Sequence, residues 1–397
     1  MAPNVLQSRG MSKRIELDPS ITGSQAKSLE ETLRRLVVGQ DEAIDQIVNV
    51  YQMYLSGLHP PDRPIGSFLF LGPTGTGKTR LVEATAEGLV GQGKIVRVDC
   101  AEFQHSHEIA KLVGSPPGYL GHRETHALLS QDALNACFGS NVNMSFVLFD
   151  EIEKASDALW HLLLGILDKG VLTMGDNRKV NFSSSMIFMT SNLGAAEVQA
   201  ILSPKLGFRT GTIEAEQARG GSTEQRLVKS SMDAARRKFT PEFWNRLDKV
   251  VVFRPLAAEQ LKRVLEIELF FVQQRIFRAG RSDKSFAFSL TDAAKALLLN
   301  EGTDVKYGAR HLKRAIDKFL VQPLSNLIAS NQIRPGDWLQ VDLATEGASL
   351  RFQREQENLS LSALAQAVHS GIAGWAQIPK MAAAAARGQM RVNARRA

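Results

Sequence analysis

The chain of 397 residues is 44% hydrophobic and 22% charged, an ordinary composition for a soluble globular protein with enough chain for two or three domains. A net charge of +7 and a pI near 9.4 permit contact with nucleic acid or acidic surfaces but select neither. The cysteines, Cys100 and Cys137, exclude a disulfide framework and a zinc module and predict reduced thiols in a cytosolic protein, and no run approaches the ~18 apolar residues that span a bilayer.

Residues 1–30 read as a mobile N-terminal extension without an apolar signal core, broken by Pro3, Pro19 and Gly23, with Met11 as an alternative start. A helical pattern over Leu29–Leu36 leads through Val37-Val38-Gly39-Gln40 into a second helix over Ala43–Leu55. A proline-rich linker, His59–Pro64, then delivers the chain to the apolar strand Ser67–Leu71. Next comes Gly72-Pro73-Thr74-Gly75-Thr76-Gly77-Lys78-Thr79, which fits the P-loop pattern, followed by a helix over Leu81–Glu87. Strand, glycine-rich loop and helix in that order are what phosphate binding requires. The glycines let backbone N–H groups turn inward around a polyphosphate at the positive end of the helix. Lys78 is placed to reach the β- and γ-phosphates of ATP, and the Thr79 hydroxyl to take Mg2+.

A second strand, Lys94–Asp99, leads to His105 and His107, which with His122 and His126 lack any recognised ligand spacing and are read as loop or solvent residues. Gly114-Ser-Pro-Pro-Gly118-Tyr119-Leu120-Gly121-His122 cannot form a regular element. Its Tyr119 and Leu120 either form a contact surface or fold back onto their own domain. Ser145–Phe149 is an apolar strand ending in Asp150 and Glu151, the second half of a nucleotide site: Asp150 for Mg2+, Glu151 to orient and deprotonate the attacking water. After a helix over Leu159–Leu167 comes a hairpin around Gly175-Asp176. Met186–Ser191 is a further strand, and Asn192 at its end either holds the attacking water or is a strand-end turn. Residues 196–225 form the least regular inner segment. A strand over Val250–Phe253 closes the alternating part, which predicts a mainly parallel sheet with helices on both faces. From Pro255 the pattern is helical, over Ala258–Arg275, Thr291–Asn300 and Ala309–Ile328, with one closing strand, Trp338–Asp342. The end is Ala-rich and carries Arg387, Arg391, Arg395 and Arg396, read as a frayed or helical tail.

These motifs, in this order, resemble the AAA+ ATPases of the Clp/Hsp100 unfoldase family, most closely the second ATPase module of ClpA, ClpB and ClpC, here as a single module over about Val37–Asp342. The resemblance implies an α/β fold with a P-loop AAA+ parallel sheet covered by helices on both faces, residues 31–255. A small, mainly helical Clp-type domain with a short sheet follows, residues 256–352, and residues 353–397 form the Ala-rich basic tail. By the same resemblance Val37 and Val38 lie on the adenine side, and Lys78, Thr79, Asp150 and Glu151 match the Walker motifs. Asn192 matches the sensor that positions water. Arg246, in Pro241-Glu-Phe-Trp-Asn-Arg, matches the arginine finger offered to the next subunit's γ-phosphate. Arg310, in Tyr307-Gly-Ala-Arg, matches the second sensor. Gly118-Tyr119-Leu120-Gly121 resembles the pore loop that grips unfolded polypeptide, with His122 where a second aromatic is common. Leu206-Gly207-Phe208 resembles the tripeptide by which ClpA, ClpC and ClpX dock on the ClpP peptidase, and which ClpB lacks.

The implied activity is ATP hydrolysis coupled to protein unfolding in a cytoplasmic homo-hexamer, since a finger given in trans needs a neighbour beside each site. Implied partners are unfolded or tagged proteins, a ClpP-like peptidase and an adaptor, with no membrane. The alternatives are a stand-alone disaggregase or remodeller without a peptidase, and a nucleic-acid motor or loader. Tyr119 and Leu120 stand against the last, because a nucleic-acid translocase presents basic residues to phosphates.

Overall fold

The structure, a computed structural model, describes residues 17–115, 127–140, 142–195, 197–198, 223–279, 285–303, 308–344, 349–356, 359–360 and 364. Its first strands are β1 (Gly66–Leu71), β2 (Val96–Asp99) and β3 (Ser145–Asp150), then a hairpin of β4 (Val171–Thr173) and β5 (Lys179–Asn181), then β6 (Ser185–Ser191) and β7 (Lys249–Val252). Strands apolar at every position need cover on both faces. β1 and β6 are buried throughout, β3 at all but its final Asp150. They lie side by side in a five-stranded sheet of order β2-β3-β6-β1-β7, parallel at every pairing.

Alternate side chains of a strand face opposite ways, so β1 serves two cores. Phe68 and Phe70 pack with Phe188 beneath α1 (Ser24–Leu36), α2 (Asp41–Leu55) and α3 (Lys78–Leu89). Leu69 and Leu71 pack with Phe149 and Met189 on the other face. That face is covered by α4 (Ala110–Val113), α5 (Gln131–Ala136), α6 (Asp157–Lys169), α7 (Thr223–Lys238) and α8 (Pro241–Trp244).

The second unit comprises α9 (Ala258–Ala279), β8 (Ala287–Leu290), α10 (Asp292–Gly302), α11 (Ala309–Ile316), α12 (Gln322–Ala329), β9 (Trp338–Leu343) and β10 (Leu350–Gln356). Its core joins Leu265, Phe286, Phe288, Leu298, Leu312 and Val341. The Arg80 guanidinium of α3 lies 4.8 Å over the Phe271 ring of α9, a cation–π contact between the two units.

Two expected boundaries are corrected, and the strands of the small unit's short sheet are located. The N-terminal extension does not reach residue 30, because α1 starts at Ser24 and buries Ala26, Leu29 and Leu33 on one helical stripe. The short sheet expected in the small unit has three strands, β8 and β10 flanking β9; the sequence pattern located β9 alone, because the other two runs carry too little alternation to stand out. β10 also runs to Gln356, and Leu364 is buried against this core, so the packed chain passes position 352, where the basic tail was expected to begin. The helix expected over Ala309–Ile328 is continuous, with a π-helical turn over Asp317–Val321 joining α11 to α12.

Cys100 and Cys137 are unpaired and buried, and burial pushes both thiols above their usual range, so neither is a thiolate nucleophile at neutral pH. Among the described residues, no helix is long and apolar enough to cross a membrane. No group of three or more His, Cys, Asp and Glu among them could hold a metal.

Candidate active site

Parallel strands end together, so the chain segments leaving the C-terminal ends of β1, β3 and β6 meet above one edge of the sheet. β1 leads into the P-loop, whose Gly72, Gly75 and Gly77 have φ of 135, 78 and 100°, a region that favours glycine. A Cβ on Gly72 would also stand 2.6 Å from the Phe253 carbonyl oxygen, so this glycine sets the packing of the loop on the end of β7. Gln40, buried, donates through Nε2 to the Thr76 carbonyl at 3.0 Å and the Arg254 carbonyl at 2.9 Å, and its Oε1 accepts the Arg254 N–H at 3.2 Å.

Lys78 begins α3 and is buried. Its ammonium donates to the carbonyls of Gly72 (2.6 Å) and Pro73 (2.8 Å) and to Asn192 Oδ1 (3.0 Å). Burial lowers its pKa from 10.5 to about 8, against the pull of Glu153 and Asp150. A polyphosphate restores the charge that burial disfavours, so binding takes up a proton wherever the free lysine has begun to lose its own, between about pH 8 and 10.5. Calorimetry at pH 9 in buffers of different ionisation enthalpy is expected to show uptake approaching one proton per nucleotide, and at pH 7 almost none. Equal uptake at both values would remove the desolvated lysine from phosphate binding.

On the adjacent strand end, Thr190 Oγ1 donates to Asp150 Oδ1 and accepts the Glu151 N–H at 3.2 Å. Glu151 stands in the left-handed region at φ 55°. Its Oε1 accepts Asn192 Nδ2 at 3.3 Å and its Oε2 accepts the Lys154 ammonium. The Asn192 amide thus joins the P-loop lysine to the acidic residue expected to activate water.

The second unit closes the site. Gly308, at φ 51°, brings α11 so near that the Ala309 N–H donates to the Gly75 carbonyl at 3.1 Å. A cavity of about 250 Å³ remains between the units. Into it face Val37, Val38, Thr74, Gly75, Thr76, Gly77, Lys78, Thr79, Asp150, Glu151, Asn192 and Arg310, joined by Leu256, Val264, Ile267, Glu268 and Lys313. The residues fit a nucleotide: an apolar wall, inward-turned glycines, a buried ammonium, and a hydroxyl and carboxylate for a cation whose other ligands come from phosphate and water.

Arg246 is elsewhere. Its carbonyl accepts Ser67 Oγ at 3.3 Å, at the start of the strand whose far end carries the P-loop, about 16 Å away at strand rise. Its side chain pairs with Glu242 through a terminal nitrogen (3.2 Å) and with Asp168 through Nε (3.5 Å), and among the described residues the buried Nε makes no hydrogen bond. Tyr119, Leu120, Leu206, Gly207 and Phe208 lie outside the described residues. Thr190, Glu153, Leu256, Val264 and Ile267 were not singled out from the sequence. Val264 and Ile267, three apart on α9, carried the one usable signal, an apolar helical stripe.

An AAA domain (Cdc48 subfamily) family model matches residues 63–250, and one for the C-terminal D2-small domain of ClpB matches residues 256–341. Chaperone protein ClpB of Rhodopirellula baltica is 37% identical over 315 residues, 79% of this chain and 33% of that protein. The ATP-dependent Clp protease ATP-binding subunit ClpC of Staphylococcus saprophyticus is 38% identical over 320 residues, 79% of this chain and 36% of that protein. The chain therefore spans about a third of the length of the curated relatives it matches. Among solved structures, the Saccharomyces cerevisiae Hsp104:casein complex in its extended conformation superposes with a TM-score of 0.68 at 30% identity, over 84% of this chain and 53% of that one. The two family models together match more than two thirds of the residues, on a parallel sheet and a helical second unit that meet around a P-loop, and the chain belongs to the AAA+ ATPases of the Clp/Hsp100 family.

Proposed function

We propose that this chain is the ATP-hydrolysing motor of a protein unfoldase, working as a homo-hexamer that draws polypeptide through a central pore. The observation that carries the reading is the Asn192 side chain, which bonds Lys78 at 3.0 Å and Glu151 at 3.3 Å and so sets phosphate binding and water activation in one network. The P-loop N–H groups and Lys78 bind the phosphates, and Val37, Val38, Leu256, Val264 and Ile267 wall the base. Thr79 and Asp150 would hold Mg2+, which would supply positive charge to the phosphates. Glu151 takes a proton from water, whose oxygen bonds to the γ-phosphorus as the bond to the β–γ bridging oxygen breaks, releasing ADP and phosphate. Arg246 serves the neighbouring subunit's site, and Arg310 carries phosphate state to the second unit. Buried, unpaired cysteines accord with a cytoplasmic setting.

Tyr119 and Leu120 supply the grip, which an aromatic gives to any sequence. Tyr119→Ala is expected to hydrolyse ATP within about twofold of wild type and to lose unfolding of a tagged fluorescent protein. Unfolding at the wild-type rate per ATP would end the gripping role. Capture of DNA or RNA in place of protein would favour the nucleic-acid motor.

A ClpP-like peptidase is the further partner, supported by Leu206-Gly207-Phe208 and by the likeness to ClpC. Such a tripeptide buries little area singly, and copies repeated round a ring gain affinity through effective concentration. Deleting Leu206–Phe208 is expected to abolish co-purification with the peptidase and leave ATP hydrolysis near normal. If the intact ring binds no peptidase in ATP, the stand-alone remodeller, which the likeness to the chaperone ClpB supports, takes its place.

A further inference from the structure

Asn192 joins the two halves of the site, and its backbone N–H bonds a carboxylate that the chemistry above does not use. β6 stops pairing with β3 at Met189 and with β1 at Ser191, so the Asn192 N–H is the first beyond the ladder. Left alone there, a partly buried donor is costly. It donates to Glu153 Oε1 at 3.2 Å. Glu153 reaches it because the chain reverses at Glu151 into a single 3-10 turn over Ile152–Lys154, closed by the Lys154 N–H on the Glu151 carbonyl at 3.0 Å. One turn therefore presents Glu151 to the side chain of Asn192 and Glu153 to its backbone.

The second oxygen of Glu153, Oε2, is buried and accepts no hydrogen bond among the described residues, and Glu153 forms no ion pair among them. A carboxylate held this way costs more than an amide or an apolar residue of similar size. Its charge favours the ammonium forms of both Lys78 and Lys154. Burial of an unpaired oxygen so close to the reacting groups is a local cost with a local use.

We propose that Glu153 is a positioning residue for hydrolysis: its carboxylate fixes Asn192 at the end of β6 and so keeps the Asn192 amide between Lys78 and Glu151. The inference rests on the ATPase reading and adds to it a residue that touches neither phosphate nor water. Misplacement of such a network by a fraction of an ångström is felt in the chemical step more than in binding.

The test is steady-state ATP hydrolysis with nucleotide affinity and Tm for wild type, Glu153→Ala, Glu153→Gln and Glu153→Asp, with Glu151→Gln as the inactive reference. Glu153→Ala is expected to lower kcat roughly 10- to 100-fold with KM changed by less than about threefold. Glu153→Gln, whose amide oxygen accepts the same N–H, is expected to recover kcat to within about threefold, while the shorter Glu153→Asp stays low. Wild-type kcat in Glu153→Ala would overturn the inference. Equal loss in Glu153→Gln and Glu153→Ala at unchanged Tm would overturn it as well, because charge and not position would then be at work. Loss of kcat in step with loss of Tm across all three variants would reduce Glu153 to a folding role. A wild-type protein that hydrolyses no ATP, or a Glu151→Gln protein as active as wild type, would instead overturn the ATPase reading itself.

Discussion

Glu151→Gln is expected to bind ATP with near wild-type affinity and to turn it over roughly 10²- to 10⁴-fold more slowly, the contribution of a positioned general base. The residue stands in a left-handed backbone conformation, φ 55°, which costs on the order of 1 kcal/mol or more for a side chain other than glycine. Its N–H bond to Thr190 Oγ1 at 3.2 Å and the grip of Asn192 and Lys154 on its carboxylate hold it there. Glutamine keeps the volume and most of these partners, so the fold survives and only the basic oxygen is lost.

Lys78→Ala is expected to do the opposite, weakening ATP binding by roughly 10- to 100-fold, the range of a charged hydrogen bond to phosphate. Removal of the ammonium also takes a donor from the carbonyls of Gly72 and Pro73 and from Asn192 Oδ1, of which the last two keep Thr76 Oγ1 and Thr74 Oγ1, so Tm should be measured beside affinity. Equilibrium binding of a labelled nucleotide and release of phosphate separate the two variants. Unchanged turnover in Glu151→Gln would remove that residue from the base role. On the unfolding proposal such a stalled protein is expected to trap clients, and the polypeptides it retains in ATP would then name the substrates.

Arg246→Ala is expected to lower turnover by roughly 10²-fold or more in homogeneous rings, because an arginine offered to charge developing on the γ-phosphate is worth at least that much. In its own chain the guanidinium is held by ion pairs with Glu242 and Asp168. It lies at the start of β1, where Ser67 Oγ donates to the Arg246 carbonyl, whereas the P-loop follows the other end. A site that needs this arginine must take it from another copy. Mixing Arg246→Ala with Lys78→Ala is decisive. Each variant lacks a different half of a shared site, so mixed rings contain some interfaces with an intact lysine on one side and an intact arginine on the other. Recovery of part of the wild-type rate, peaking at intermediate mixing ratios, is the expected result. No recovery at any ratio, with mixing verified, would count against action in trans and leave Arg246 as a structural ion pair.

The sequence by itself determined which chemical groups the candidate site offers and the order of its parts. Gly72–Thr79 between an apolar strand and a helix, and Asp150-Glu151 at the end of another strand, are short-range patterns whose meaning depends on neighbours a few residues away. The alternation of strands and helices likewise implied the parallel sheet. The tertiary structure alone decided which of these segments touch. The order β2-β3-β6-β1-β7 puts β6 between the strands that carry Glu151 and Lys78, and this makes Asn192 the link between them and Thr190 the partner of Asp150. Glu153 was invisible for the same reason, since the N–H it accepts comes from a residue 39 positions away. The apolar wall from Leu256, Val264 and Ile267 depends on how the second unit folds back over the first. An apolar strand reads the same whichever neighbour it has, because burial on both faces rewards hydrophobicity without specifying a partner. Register, strand order and closure of the units are set by packing between segments far apart in the chain, where local sequence carries no signal.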